Sequence, residues 1–127
     1  MKKILIVDDQ PEVRELVEVT LKTGDYQILK AKNGEDAVEI AKTEKLDLII
    51  MDIMMPGGID GLEATRILKN EPETRDIPVI MLTAKGQESD REKGLEVGAD
   101  DYFTKPFSPL ELIKKVEEIL GQAKLKT

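Results

Sequence analysis

The chain of 127 residues contains no cysteine, no histidine and no tryptophan. Without cysteine there is no disulfide framework, no thiolate metal site and no thiol nucleophile. Without histidine the commonest general base and metal ligand is missing, so chemistry must come from carboxylates, Lys, Ser, Thr or Tyr. No apolar run approaches the roughly 20 residues of a membrane span. The four apolar residues after Met1-Lys2-Lys3 are also too few for a signal peptide. These absences predict a soluble, cytoplasmic protein with no membrane partner. A net charge of -7 argues against direct nucleic acid contact through a basic face. The same charge would draw a divalent cation to any cluster of carboxylates.

What is present centres on Leu48-Ile49-Ile50-Met51-Asp52. Four consecutive apolar residues bounded by charge predict a strand buried on both faces, as central parallel strands are. The run ends on a carboxylate, where open α/β sheets place their ligands. The length suits one domain, over residues 1–121, with 122–127 as a short polar tail.

In chain order, Ile4-Leu5-Ile6-Val7 is a first buried strand, closed by Asp8-Asp9. Pro11 opens a helix whose apolar stripe is Val13, Leu16, Val17 and Leu21, and Gly24 stops it. Residues 26–31 form a second strand, interrupted by Gln27 and Lys30 and therefore at an edge. Asn33 caps a second helix carrying Ala37, Ile40 and Ala41 on one face. After the central strand, Ile53 to Gly61 is a loop by its Pro and Gly content, and a third helix carries Ala64, Ile67 and Leu68. The charged stretch 69–76 reads as a solvated connection. Val79-Ile80-Met81-Leu82 is a buried strand ending on Thr83. A polar fourth helix over 88–97 has Leu95 and Val97 as nearly its only apolar anchors, which predicts the loosest packing in the molecule. Residues 101–104 form a short fifth strand closed by Lys105-Pro106, and Ser108-Pro109-Leu110-Glu111 has the capping-box pattern that starts a last helix.

Five strands alternating with five helices predict an α/β fold, a doubly wound five-stranded parallel sheet with right-handed crossovers. Three continuously apolar strands belong at the centre and two interrupted ones at the edges, as in the flavodoxin-like order 2-1-3-4-5. One crevice then receives Asp8, Asp9, Asp52, Thr83 and Lys105. Each alone is an ordinary turn former, cap or solvated side chain. Together, three carboxylates repel and raise one another's pKa unless a cation holds them. An oxygen-only cluster suits Mg²⁺ or Mn²⁺. The implied chemistry is phosphoryl transfer onto an Asp, with Asp52 as the best-placed nucleophile, Asp8 and Asp9 on the metal, Lys105 pairing with the phosphoryl group and Thr83 donating to it.

At this point the sequence resembles the receiver domain of bacterial two-component response regulators, of which the chemotaxis-type regulators are single-domain members. The resemblance runs from residue 3 to about 120. It rests on Asp8-Asp9, on Asp52 followed by Met55-Pro56 and Asp60-Gly61, on Thr83-Ala84, on Gly98-Ala99-Asp100-Asp101-Tyr102, and on Lys105-Pro106-Phe107. It implies that Asp52 accepts a phosphoryl group from a sensor histidine kinase or phosphotransfer protein, and that the domain assists its own phosphorylation and dephosphorylation without being an enzyme. It implies Mg²⁺ on Asp9, Asp52 and the Met54 backbone carbonyl, with Asp8 acting through a metal-bound water. It further implies a Thr83/Tyr102 switch, a cis peptide before Pro106, and an output face made by the fourth helix, fifth strand and fifth helix. That face would meet a downstream effector or output domain. The alternative is the receiver of a DNA-binding transcriptional regulator.

Three features depart from the usual pattern. Met55-Pro56-Gly57-Gly58-Ile59-Asp60-Gly61 holds one residue more than receivers usually have, which two glycines can absorb as a bulged loop. Met54 stands where some relatives carry a polar residue that positions water. Leu110 stands where many DNA-binding relatives have Arg. A phosphohydrolase with an aspartyl nucleophile would want an acid at position 54, and a flavin or dinucleotide carrier would want glycines where Asp8-Asp9-Gln10-Pro11 stands.

Overall fold

The computed structural model describes residues 1–55, 57–84 and 88–125. Its elements are β1 (Lys2–Val7), α1 (Pro11–Leu21), β2 (Tyr26–Ala31), α2 (Gly34–Thr43), β3 (Leu48–Asp52), α3 (Gly61–Lys69), β4 (Val79–Ala84), α4 (Glu88–Glu96), β5 (Asp101–Lys105) and α5 (Pro109–Leu125). All strand pairs are parallel and the sheet order is β2-β1-β3-β4-β5. Every residue of β3 is buried, whereas β2 and β5 are half-buried or exposed apart from Ala31 at the end of β2. The continuous and interrupted hydrophobic runs therefore separate centre from edge, as the pattern predicts.

The two-residue period of the strands splits the core into two layers. Leu5, Val7, Ile49, Met51, Val79 and Met81 face α2 and α3, meeting Ala37, Ala41, Ala64 and Leu68. Ile4, Ile6, Leu48, Ile50, Ile80 and Leu82 face α1 and α5, meeting Val17, Leu21, Leu112 and Val116. Each such side chain, fully withdrawn from water, contributes about 1.5–3 kcal/mol of transfer free energy. This anchorage is what holds the strand ends, and the groups on them, in register.

The helix starts follow their caps. Asn33 accepts from the Asp36 N–H at 2.8 Å, and the Ser108 hydroxyl accepts from the Glu111 N–H at 3.4 Å. Asp60 caps α3 by accepting from the Glu63 N–H at 2.9 Å. At the far end of α4, Gly98 takes a φ of +104°, a left-handed value that glycine adopts without a Cβ penalty.

Three expectations are corrected by the structure. The stretch 69–76 is not simply a solvated connection: Thr74 is buried and donates to the Leu68 carbonyl at 2.6 Å, and Ile77 is buried. Lys69 ties the same segment down, donating to the Ile77 carbonyl at 2.8 Å and to the Asp100 carboxylate at 3.0 Å. The second correction concerns α4, where Leu95 is 48% exposed and so only about half withdrawn from water. Among the described residues of α4 the buried one is Gly94, whose missing side chain lets the helix backbone settle over Met81. Third, α5 continues to Leu125, so most of the expected polar tail is helix, and residues 126–127 lie outside the described residues.

Candidate functional site

The carboxyl ends of β1, β3 and β5 deliver the charged groups. Asp8 follows β1 and is wholly buried, Asp52 ends β3 and is 5% exposed, and Asp9 beside them is exposed. Lys105, the last residue of β5, reaches across the sheet end. Its Nζ donates to Asp8 Oδ2 at 2.9 Å and to Asp52 Oδ1 at 3.0 Å. Asp8 is further fixed by the Gln10 N–H, which donates to its Oδ1 at 2.9 Å, and Arg14 donates to its backbone carbonyl at 2.6 Å. Carboxylate oxygens of Asp8, Asp9 and Asp52 lie within 4.8 Å of one another. An open cleft of about 320 Å³ lies over them, lined by Asp9, Asp52, Met54, Ala84 and Lys105 among others.

The electrostatics follow from burial and crowding. Burial first, then the neighbouring Asp8, push the Asp52 carboxyl up from the usual 3.8 to about 6; the Lys105 hydrogen bond pulls it back and Asp9 adds to the rise. Burial alone would lower the Lys105 ammonium, but its hydrogen bonds to Asp8 and Asp52 outweigh this and hold it above its ordinary value. Two buried carboxylates share one ammonium, so the cluster retains excess negative charge. The donor set is all oxygen, with no nitrogen or sulfur ligand, and fits a hard divalent cation.

Glycine makes the close approach possible. The Gly61 N–H donates to the Ile53 carbonyl at 2.9 Å, and a Cβ on Gly61 would fall on the Asp52 carbonyl oxygen. The start of α3 is thereby pressed against the end of β3. The loop between them is latched on its other side, where Glu35 on α2 accepts from the Ile59 N–H at 3.2 Å. Gly57 takes a φ of +90°, a left-handed value that glycine adopts without a Cβ penalty. Pro56, part of the same motif, lies outside the described residues.

Of the residues singled out from the sequence, Asp8, Asp9, Asp52 and Lys105 come together. Thr83 is buried, and its hydroxyl donates to the Phe103 carbonyl of β5 at 3.4 Å instead of facing the cleft. Tyr102, next to Phe103, is half-buried against the core layer under α2 and α3. The Met54 side chain is 64% exposed at the cleft rim. The peptide bond between Lys105 and Pro106 is cis. Arg14, Glu35 and Gln10 escaped the sequence reading, since nothing in their spacing points at the site. The Asp60 cap escaped it too, although Asp60-Gly61-Leu62-Glu63 has capping-box spacing that could have signalled it.

Comparison with known proteins decides the family. The family model for the response regulator receiver domain matches residues 4–117. The chain belongs to the response regulator receiver domain family. This receiver is 50% identical over 119 residues to the phosphate regulon transcriptional regulatory protein PhoB of Pseudomonas aeruginosa, covering 94% of the chain and 52% of that protein. It is 44% identical over 124 residues to the alkaline phosphatase synthesis transcriptional regulatory protein PhoP of Bacillus subtilis, covering 98% and 50%. The receiver thus spans about half the length of the curated relatives it matches. A response regulator from Chloroflexus aurantiacus superposes with a TM-score of 0.90 at 38% identity, over 94% of this chain and 98% of that one. The receiver domain of a Pseudomonas aeruginosa sensor histidine kinase, solved with magnesium coordinated in its active-site cleft, superposes with a TM-score of 0.86 at 34% identity over the same shares. Among the described residues no helix is long and apolar enough to cross a membrane.

Proposed function

We propose that this receiver is a phosphorylation-activated switch whose phosphoacceptor is Asp52. The observation that carries the reading is the Lys105 ammonium bridging two buried carboxylates, Asp8 and Asp52, at the end of the central strands. A carboxylate oxygen of Asp52 attacks the phosphorus of a phosphohistidine on a sensor kinase or phosphotransfer protein. The P–N bond breaks, the electron pair returns to the imidazole, and an acyl phosphate remains on Asp52. Mg²⁺ held by Asp9, Asp52 and the Met54 backbone carbonyl, with Asp8 acting through water, supplies charge neutralisation for the phosphoryl oxygens when bound. Mn²⁺ satisfies the same donor set. Lys105 keeps its hold on Asp8 and turns its remaining donors to the phosphoryl group. The domain assists this transfer and its reversal on its own side chain.

The relay runs through Thr83 and Tyr102. A phosphoryl group of roughly two negative charges draws the Thr83 hydroxyl away from the Phe103 carbonyl. Tyr102 then turns into the space released, which reshapes the face made by α4, β5 and α5. The curated relatives are transcriptional regulators about twice as long. That favours reading this chain as the receiver part of a cytoplasmic, DNA-binding regulator whose output is carried by a further domain. Borohydride trapping tests the acceptor: reduction converts a phosphorylated Asp to homoserine, which peptide mass spectrometry locates. Homoserine at position 52 is expected. Homoserine at another carboxylate, or at none after phosphoryl incorporation, overturns the assignment.

A further inference from the structure

With no cysteine and no tryptophan in the chain, the side chains open to mild two-electron oxidation reduce to five methionine sulfurs. The fold sorts them sharply. Met51, Met55 and Met81 are buried to within 3% of complete, and Met1 stands at the terminus far from any strand end that carries chemistry. Met54 alone combines 64% exposure with a place in the cleft wall beside Asp52 and Lys105. Of the other apolar residues lining the cleft, Ala84 is small and exposed, while Ile53 and Leu82 are buried. Among the described residues lining this mouth, Met54 is therefore the one long, exposed apolar side chain, two residues from the group that carries the phosphoryl.

We propose that Met54 is an oxidation site through which a peroxide shortens the lifetime of the phosphorylated state. The thioether attacks the peroxide oxygen: an S–O bond forms, the O–O bond breaks, sulfur is oxidised to the sulfoxide and the peroxide leaves as water. The product exchanges an apolar side chain for a strong hydrogen-bond acceptor at the same spot. A thioether holds water poorly at the rim. A sulfoxide oxygen accepts from a water and places it for attack on the phosphorus of the Asp52 acyl phosphate. A methionine sulfoxide reductase using a dithiol reverses the change: the sulfoxide oxygen leaves as water, the dithiol becomes a disulfide and the slow state returns. The inference rests on Asp52 phosphorylation, and the test below separates the two.

The protein is phosphorylated with acetyl phosphate and Mg²⁺, before and after hydrogen peroxide treatment, and the decay of the phosphorylated mass is followed beside peptide mapping of each methionine. Met54 should gain one oxygen ahead of Met51, Met55 and Met81. The half-life of the phosphorylated form should fall by about threefold, roughly what one added hydrogen bond in a transition state supplies. Met54→Leu, which keeps the bulk and removes the sulfur, should show the same half-life with and without peroxide. Preferential oxidation at Met51, Met55 or Met81, or complete oxidation at Met54 with an unchanged or longer half-life, overturns the inference while leaving Asp52 phosphorylation standing. Equal acceleration in Met54→Leu overturns it too, by moving the effect to another residue. Absence of phosphoryl incorporation in the untreated protein overturns instead the functional reading on which it rests.

Discussion

Replacing Asp52 by asparagine removes a charge that the fold holds at a cost. The carboxyl is raised from 3.8 to about 6, so above that pH its ionised form is disfavoured in the folded state by about two units, or roughly 3 kcal/mol. The sign follows directly. A raised carboxyl destabilises the fold increasingly as pH climbs from the unfolded value near 3.8 to the folded value near 6, and the full cost stands above 6. Asparagine carries no charge and its amide oxygen still accepts from Lys105, so most of that cost disappears; allowing for local relaxation, the gain at pH 7.5 is about 2 kcal/mol. For a domain of this size that is a rise of roughly 6–10 °C in Tm. The assay is thermal or urea unfolding in EDTA at pH 7.5 and at pH 4, comparing Asp52→Asn with the parent. The gain should shrink towards zero at pH 4, where the parent carboxyl is already protonated. A variant less stable than the parent at pH 7.5, or equally stabilised at both pH values, would refute the electrostatic account of the site.

Other outcomes follow from the same geometry. Gly61→Ala should lose about 1–3 kcal/mol in urea unfolding, because its Cβ would strike the Asp52 carbonyl and push α3 off the end of β3; an unchanged midpoint would show the contact is slack. Leu95→Ser should lose no more than about 1 kcal/mol, since about half of that residue is in water, and a loss above about 2 kcal/mol would show that α4 leans on it after all. Met54→Asn should speed loss of the phosphoryl group from Asp52, measured by mass decay after removal of the donor. An unchanged or slower decay would mean that the apolar rim plays no part in protecting it.

The central strands were legible because parallel strands covered on both faces need unbroken apolar runs, and Ile4 to Val7, Leu48 to Met51 and Val79 to Leu82 supply them. The grouping of Asp8, Asp9, Asp52 and Lys105 followed once strand order placed their ends together. What stayed hidden depends on single contacts rather than on periodicity. Thr74 looks like one more polar residue in a charged stretch, yet the Leu68 carbonyl near the end of α3, which also accepts from the Glu71 N–H at 3.4 Å, gives its hydroxyl a buried partner. Leu95 looks like an anchor, but Gly94 turns the other side of α4 to the sheet, since backbone packs closer than any side chain. The last turns of α5 read as a tail because of Gly121 and the polar run behind it. Gln, Ala, Lys and Leu are nevertheless good helix formers, and one glycine costs about 1 kcal/mol, too little to stop a helix already propagating.

The most direct test of the account is intact mass after incubation with acetyl phosphate, with and without Mg²⁺, for the parent and for Asp52→Ala. The account predicts one phosphoryl group on the parent, only when Mg²⁺ is present, and none on the variant. A folded parent that binds Mg²⁺ and takes up no phosphoryl group would contradict it, leaving a receiver scaffold that signals by other means.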